Sequence, residues 1–249
     1  MFDILIVVAE KDHNKLPFVL ESIYKNISGI NKYYIISPTA ISDEYLWLDA
    51  EVFMDREVVD FDFSRFTGNI EARRGWYIQQ FIKLFQEVTG PQYVVVDADV
   101  YLNKKIDIIG DDDKPTFLFG KNQYHLPYFQ FMKSVFDLNK VHSYSFINEI
   151  MYFDRDIIKQ MISSIGLNKY GFFELAVNEL NKQNEVSGFS EYELYGNYVT
   201  KNFPDAYHYK FIKSCRNGKQ REWNETELKE YINKMENSEY DLISMHSWI

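Results

Sequence analysis

The chain has 249 residues, a formal net charge of -10 and 46% hydrophobic residues, which is enough to bury the core of one large domain. Its single cysteine, Cys215, excludes an intramolecular disulfide framework and a zinc site built on several thiolates. The acidic balance argues against a protein that wraps nucleic acid by neutralising its phosphates, although a divalent cation could still bring a phosphate-bearing small molecule to such a chain.

The apolar stretch from Met1 to Ala9 favours a buried strand. It is too short to span a membrane, and Asp3 with no basic region before it is wrong for a signal peptide. We therefore expect a cytoplasmic protein without a transmembrane segment. A mildly basic C-terminal region predicts a solvated face, with peripheral attachment to an anionic membrane or glycolipid as the alternative. Its basic residues are Lys201, Lys210, Lys213, Arg216, Lys219 and Arg221.

Strands and helices alternate in the first part of the chain, which predicts an α/β fold with a mostly parallel sheet covered by helices. The predicted elements are the strand Ile4–Ala9, the helix Leu16–Ile27, the strand Lys32–Ile36, a short strand and loop in 51–68, the helix Gly75–Val88 and the strand Tyr93–Val96. Thr89, Gly90 and Pro91 end the last helix. The wholly apolar strand after it is typical of one buried on both faces.

The pattern is less regular beyond residue 103. The predicted elements there are the strands Thr116–Gly120 and Phe146–Phe153, the helices Arg155–Ile165, Phe172–Asn184, Glu191–Val199 and Leu228–Met235, and a last strand Leu242–Met245. The chain contains no internal repeat and no Pro- or Ser-rich linker. We therefore predict a single domain made of a regular half, 1–103, and an irregular half, 104–249.

Two aspartates, Asp97 and Asp99, follow the buried strand Tyr93–Val96. Their spacing projects both carboxylates to one side where the strand leaves the sheet, and open α/β sheets bind ligands beyond these strand ends. Two adjacent acids repel each other unless a cation lies near them, and oxygen ligands suit Mg²⁺ or Mn²⁺. The alternative is a pair of solvated turn acids.

The segment Arg73–Gln80 opens the helix that precedes this strand. Its basic pair and the free amides of a helix start suit a diphosphate. Gln79 and Gln80 offer amide groups to a nucleotide or to the aspartate pair. We expect Trp76 in the core and one of the two arginines at the surface.

Four segments resemble, in their order along the chain, motifs of GT-A glycosyltransferases. They are Gly75–Leu84, Tyr93–Asp99, Ser190–Tyr198 and Met245–Trp248. The first two look like the helix and Asp-x-Asp strand of that family, the third like the acidic motif of its inverting members, and the fourth like a metal-binding C-terminal histidine. Together they also resemble a poorly characterised bacterial and viral branch. The resemblance implies a Rossmann-like single domain with a nucleotide-binding first half and an acceptor-binding second half.

By this resemblance the chain would transfer a sugar from a nucleoside-diphosphate sugar, with UDP favoured, to a hydroxyl of a glycan or glycolipid acceptor. Asp99 and His246 would hold Mn²⁺ or Mg²⁺, which clamps the leaving diphosphate, while Asp97 contacts the metal through water or holds the ribose. The implied nucleotide- and diphosphate-binding residues are Ala9, Glu10, Lys11, Asp12, Arg74, Gln79, Gln80 and Ala98.

Glu191 falls where the family places its general base, which must deprotonate the acceptor hydroxyl. Ser190 departs from the acid usual at its position, and Glu193 matches the second acid of the motif. As a base, Glu191 predicts inversion at the transferred sugar, with retention left open. The alternative is that both glutamates only complement the dipole of a helix start.

His125 and Glu149 are further candidates for contact with the donor sugar or the acceptor, together with Glu193. His125 follows the strand Thr116–Gly120, where acceptor loops often lie in this fold, and Glu149 lies on a predicted strand with packing as its alternative role. The remaining histidines have no motif around them, so we expect core or surface roles for His13, His142 and His208.

Two other functions remain open from the sequence. A phosphatase of the haloacid dehalogenase type also places Asp-x-Asp after a hydrophobic strand, but Tyr101 stands where that family has a small Thr or Val. A non-catalytic module that binds sugar nucleotides or glycans is the second, and Ser190 in place of an acid is the observation that favours it.

Overall fold

The computed structural model describes residues 1–42, 47–121, 123–219 and 222–247, with the backbone alone for 217–219. Trp248 of the C-terminal motif and Arg221 of the basic region lie outside the described residues. The strands are β1 (Phe2–Val7), β2 (Ile30–Ser37), β3 (Glu51–Met54), β4 (Gln92–Val96), β5 (Val100–Leu102), β6 (Thr116–Phe119), β7 (Ile150–Asp154), β8 (His208–Phe211), β9 (Ser214–Lys219) and β10 (Leu242–Ser247). The α-helices are α1 (Leu16–Asn26), α2 (Asp55–Val58), α3 (Arg74–Phe85), α4 (Leu126–Phe136), α5 (Arg155–Ser163), α6 (Lys169–Gln183), α7 (Glu191–Asn202) and α8 (Glu225–Met235).

The central sheet has the strand order β3-β2-β1-β4-β7. Its first four strands are parallel, and β7 runs antiparallel to β4. Every residue of β1 is buried, as in a strand covered by helices on both faces. The prediction of a single mixed α/β domain with a mostly parallel, helix-covered sheet is confirmed.

An aromatic cluster packs helix α3 against α6 and against the segment before α7. Phe81 packs with its ring centroid 5.1 Å from that of Phe173 and 5.6 Å from that of Phe189. The helix ends at Phe85 and not at the predicted Val88, because the Gln86 side chain accepts hydrogen bonds from the next backbone N–H groups and turns the chain. The packed aromatic face leaves the opposite face of α3 for the carboxyl edge of the sheet.

Strand β7 begins at Ile150, four residues after the predicted start. The preceding segment is held in a turn, since Ser145 Oγ accepts from the Ile147 amide and Glu193 accepts from the Phe146 amide. Glu149 then takes a left-handed conformation with φ +66°, which breaks the extended chain before the strand.

Strand β10 is the middle strand of a separate three-stranded sheet. It lies between β5, to which it is antiparallel, and β9, to which it is parallel. The sequence analysis did not predict β5, β8, β9 or α4. No helix among the described residues is long and apolar enough to cross a lipid bilayer.

Candidate active site

A crevice opens at the carboxyl edge of the central sheet between β1 and β4. The chain continues from β1 to β2 on one side, while β4 lies on the other, so this is the point where the strand order reverses. Open α/β sheets bind their ligands at such a point. Ala9 follows β1 and Asp97 follows β4, and both border a cleft of about 1540 Å³. That volume is above the range of about 300–1,000 Å³ usual for small ligands.

Most of the residues predicted for the site line this cleft. Those that do are Ala9, Lys11, Asp12, Arg74, Gln79, Asp97, Ala98, Asp99, His125, Glu149 and His246. The predicted residues that are not among the described lining residues are Glu10, Gln80, Glu191 and Glu193.

A buried ammonium group connects the first aspartate to helix α7. Lys83 Nζ donates to Asp97 Oδ1 at 2.7 Å and to Glu191 Oε1 at 2.8 Å. Tyr192 OH donates to the same Asp97 oxygen at 2.7 Å. Burial raises the pKa of Asp97 to about 6, with a further rise from the nearby carboxylates of Glu191 and Asp99, and Lys83 opposes this rise. Burial lowers the pKa of Lys83, but the two carboxylates outweigh it and raise that pKa overall.

The second aspartate is paired with the C-terminal histidine. His246 Nδ1 lies 2.9 Å from Asp99 Oδ2, and His246 Nε2 lies 3.1 Å from Glu149 Oε1. Ser244 Oγ donates to the other Glu149 oxygen at 2.6 Å. Burial lowers the pKa of His246, but the two carboxylates outweigh it and raise the pKa to about 10. Burial likewise raises the pKa of Asp99, and His246 outweighs that effect and holds it below its ordinary value. The ring is therefore an imidazolium at neutral pH.

The backbone at Glu149 stores strain beside this group. Its φ of +66° is rare for a residue with a side chain, and its side chain is almost completely buried. The Glu149 carbonyl accepts a hydrogen bond from the Asp97 amide at 2.9 Å. The Glu149 side chain pairs with His246, which in turn pairs with Asp99. Strain of this kind concentrates at functional sites.

Carboxylate oxygens suit Mn²⁺ or Mg²⁺, and an imidazole beside them is a ligand that favours a transition metal over Mg²⁺. Asp97 Oδ2 and Asp99 Oδ1 make no hydrogen bond to any residue that the structure describes, and both residues line the cleft. As they stand, however, no three His, Cys, Asp or Glu side chains of the described residues are arranged as a metal centre. The His246 ring lies between the carboxylates of Asp99 and Glu149, and a nitrogen that ligates a metal must be deprotonated. The residue types fit a cation, and the ion pairs of His246 with Asp99 and Glu149 must open before a cation can bind.

The start of α3 supplies positive charge on the other wall of the cleft. Arg73 and Arg74 both line it, and no side chain caps the first amides of the helix. The Arg73 guanidinium lies over the Trp76 ring and donates to Ser187. Arg74 is exposed and forms no ion pair with any described residue. The Arg74 amide already donates to the Glu71 carbonyl of the preceding turn, so the exposed guanidinium is the group that could bind an anion here.

The turn after β1 is tied to the C-terminal strand. Lys11 Nζ donates to the Ser247 carbonyl at 2.8 Å, and Lys15 Nζ donates to Ser247 Oγ at 2.9 Å. Lys15 is completely buried and pairs with Asp12 at 2.5 Å. Burial raises the pKa of Asp12, and Lys15 opposes this rise. Glu10 is exposed beside the turn.

Two predicted acids, Glu191 and Glu193, and the amide side chain of Gln80 form hydrogen bonds inside the protein. Glu193 is fully buried and accepts from Ser145 Oγ at 2.7 Å and from Asn197 Nδ2 at 2.9 Å. Gln80 accepts from the Glu191 amide at 3.2 Å, while its own Nε2 has no hydrogen bond partner among the described residues. A general base must reach the acceptor proton. The Glu191 carboxylate is held by Lys83, so its role as the base stays a prediction.

His125 lies at the edge of the cleft, and its Nε2 is 2.7 Å from the Ser187 carbonyl. Its ring stacks edge-on against that of Tyr128, with centroids 4.4 Å apart. His125 therefore forms part of the wall of the cleft.

Sequence reasoning missed Lys83, Arg216 and Ser244. Lys83 lies four residues after Gln79 on α3, so helical spacing placed it on the cleft face. Arg216 Nε is 3.4 Å from Glu149 Oε1 and its Nη2 donates to the Ile147 carbonyl. Arg216 and Ser244 come to the site through the pairing of β9 with β10, for which the sequence carried no signal.

No known family profile matches the sequence, and no curated protein matches it. Solved structures give low-scoring similarities. A structure described as galactosyltransferase LgtC in complex with donor and acceptor sugar analogs is 9% identical, with a TM-score of 0.47 over 98% of this chain and 87% of that chain. Mouse xyloside xylosyltransferase 1 in its apo form is 9% identical, with a TM-score of 0.45 over 98% of this chain and 97% of that chain.

The bifunctional glycosyltransferase WbbM, also in apo form, is 11% identical with a TM-score of 0.42, over 98% of this chain and 45% of that chain. Because these identities and TM-scores are low, the functional assignment depends on the residues of the cleft alone.

Proposed function

We propose that the chain is a metal-dependent glycosyltransferase that moves a sugar from a nucleoside-diphosphate sugar, with UDP as the nucleotide, to a hydroxyl of a glycan or glycolipid. One observation carries this proposal: Asp97 and Asp99, at the carboxyl end of β4, line the same large cleft as Arg73 and Arg74 at the start of α3. Negative and positive walls of this kind suit a diphosphate that is bridged to carboxylates by a cation.

Asp99 and His246 would hold the cation, with Asp97 as the second carboxylate and Glu149 within reach of the same imidazole. Bound there, the cation would neutralise charge on the leaving diphosphate. Lys83 and Tyr192 fix Asp97 Oδ1, which leaves Asp97 Oδ2 toward the cleft. Preorganised ligands of this kind need no rearrangement of Asp97 on binding.

The remaining cleft residues would bind the donor. The Arg74 guanidinium would take the diphosphate, and Gln79 on the next turn would donate to it or to the ribose. The turn Ala9–Asp12 would hold the nucleobase and ribose beside Ala98. Lys11, which is anchored to the Ser247 carbonyl, connects this turn to the strand that carries His246.

We keep Glu191 as the proposed general base and inversion as the proposed outcome, with one structural requirement. Its carboxylate lies 2.8 Å from Lys83 Nζ and is almost completely buried. Donor or acceptor binding must therefore break the bond between Lys83 and Glu191, while Lys83 stays paired with Asp97, and open Glu191 to the cleft. The phosphatase alternative is not favoured, because Tyr101 stands where that family has a small Thr or Val.

A thermal-shift screen of nucleotides and nucleotide sugars tests the proposal, because a ligand that binds the folded state raises its melting temperature. UDP and UDP-sugars should stabilise the protein in Mn²⁺ and much less in EDTA, while uridine alone should have a small effect in both. Equal stabilisation by UDP in Mn²⁺ and EDTA would remove the metal from the proposal, and no stabilisation by any nucleotide would remove the donor.

A further inference from the structure

A second pocket lies beside the cleft, at the start of α4. Its volume is about 440 Å³, which is near the lower end of the range of about 300–1,000 Å³ for small-molecule sites. It is lined by Tyr124, Phe129, Asn139, Lys140, His142 and Ser143. None of these residues belongs to the set predicted from the sequence for the active site.

One short segment separates this pocket from the cleft. Gln123, His125 and Tyr128 line the cleft, whereas Tyr124 and Phe129 line the pocket. The rings pair accordingly: His125 and Tyr128 have centroids 4.4 Å apart on the cleft side, and Tyr124 and Phe129 have centroids 4.8 Å apart on the pocket side. A ligand that crosses this wall would therefore contact both spaces at once.

The pocket offers an aromatic surface that is open to solvent. The Tyr124 side chain is 64% exposed although it contacts the Phe129 ring, which is only 7% exposed. His142 stacks on Tyr144 with centroids 4.5 Å apart. Aromatic faces pack well against the apolar C–H faces of ring-shaped polar ligands, because they remove apolar surface from water without needing a charge.

The pocket also offers hydrogen-bonding groups that the protein does not use. The side chains of Asn139, His142 and Ser143 form no hydrogen bond with any of the described residues. An amide, an imidazole and a hydroxyl provide both donors and acceptors. Groups of this kind, around an aromatic floor, match a ligand that carries several hydroxyls.

The charge in the pocket is balanced. Lys140 Nζ donates to the Tyr144 carbonyl at 2.6 Å and lies 3.5 Å from Glu193 Oε2, so its charge is compensated. Burial, aided by Lys140, lowers the pKa of His142 and keeps its ring neutral at pH 7. A phosphate or carboxylate would find no free cation among the described residues of this pocket, and a neutral polyhydroxylated ligand fits better.

We propose that this pocket binds one neutral sugar unit of the acceptor, stacked on Tyr124 and hydrogen-bonded by Asn139, His142 and Ser143. The identification of that sugar as part of the acceptor rests on the proposed glycosyltransferase function. The rest of the acceptor would pass over the His125–Tyr128 side of the wall toward the aspartate pair. This gives Glu193 an indirect role, since it holds Lys140 at the pocket without touching the ligand.

The test is an NMR titration of the full chain with the methyl β-glycosides of glucose, galactose and N-acetylglucosamine and with lactose. Amide shifts should change in the segments 124–129 and 139–143, and the changes should saturate with at least one of these sugars. Tyr124→Ala should weaken that binding by about tenfold, and Tyr124→Phe should retain it. Tyr170→Ala is the matched control, because Tyr170 is also a half-exposed tyrosine, 49% exposed, but lies on α6.

The titration is repeated with saturating UDP and Mn²⁺, which should leave the pocket shifts in place because the two spaces are separate. The proposal is overturned if no sugar changes the amide shifts of segments 124–129 and 139–143, or if Tyr124→Ala binds the sugar as tightly as the unchanged protein does. Failure of UDP to bind, with the pocket shifts present, would instead contradict the donor assignment and leave a sugar-binding pocket.

Discussion

His246 Nδ1 lies 2.9 Å from Asp99 Oδ2, although 147 residues separate them in the chain. The pairing of β10 with β5, directly after Asp99, brings them together, and the Met245 amide donates to the Asp99 carbonyl at 2.7 Å. The C-terminal strand is therefore a wall of the candidate site. It gives the aspartate pair its cationic partner in the form that the structure describes.

Asp99→Asn should abolish divalent-dependent binding of UDP and leave the fold intact. Asparagine keeps the shape of the side chain but removes the negative charge that a hard cation needs. Isothermal titration of UDP in Mn²⁺ and in EDTA measures the loss, and circular dichroism checks the fold. Asp112→Asn is the matched control, because Asp112 also pairs with a histidine, His208, at 2.7 Å but lies outside the cleft. Wild-type affinity for UDP in the Asp99 variant would exclude this aspartate as a metal ligand.

Arg74→Ala should weaken the binding of UDP more than that of uridine. A guanidinium at the helix start should meet the diphosphate and not the base, and loss of a charge-assisted hydrogen bond costs about 1.5–3 kcal/mol. Titration of the two ligands against the same variant gives the comparison. Arg65→Ala, which changes an arginine paired with Glu174 away from the cleft, serves as the control. Equal losses for uridine and UDP would contradict the diphosphate assignment.

Lys83→Met should destabilise the protein by about 3–5 kcal/mol, because it leaves two buried carboxylates without their shared counter-ion. Urea unfolding followed by fluorescence measures the change. Lys229→Met removes an exposed lysine from an ion pair with Glu225 and should change stability little. Adding Glu191→Gln to Lys83→Met should recover part of the loss, since one buried charge then disappears. Additive losses in the double variant would show that Lys83 and Glu191 do not act together.

Glu191→Gln should lower the rate of transfer by about 10²–10⁴-fold, the usual contribution of a general base, while donor affinity stays within a few-fold. Initial rates and a product anomer determined by NMR provide the two measurements. Glu193→Gln is the neighbouring control on the same helix. It should act mainly on the acceptor KM, because Glu193 holds Lys140 at the second pocket. A near wild-type rate or a retained anomer would leave Glu191 only as the counter-ion of Lys83.

The central sheet and the aspartate pair could be predicted because their signals are local. The apolar β4 segment and the acids two residues apart are adjacent in the chain, and α1 begins at the predicted Leu16. Helix α4 was missed, since Pro127 and the aromatic residues after it give no clear apolar period. Strand β5 was missed because it has only three residues. Both β5 and β9 are stabilised by pairing with β10 from the end of the chain.

The ion pairs of the site could not be predicted, since they depend on contacts between distant elements. Lys83 meets Glu191 across 108 residues, and the sequence showed only a lysine within a helix. The sequence also does not show whether the Glu191 carboxylate faces the cleft or is held behind it. Glu191 and Tyr192 are neighbours in the chain, but only the Tyr192 hydroxyl reaches Asp97. Metal binding and the division at residue 103 stay predictions.

Turnover of a UDP-sugar is the decisive test of the proposed activity. The protein is incubated with a panel of UDP-sugars in Mn²⁺, with and without saccharide acceptors, and release of UDP is followed by ³¹P NMR. We predict that at least one UDP-sugar releases UDP, slowly without acceptor and faster with it. We also predict no release in EDTA or from Asp99→Asn. Tight binding of UDP-sugars without any release of UDP would contradict the proposed activity and identify the chain as a binding module.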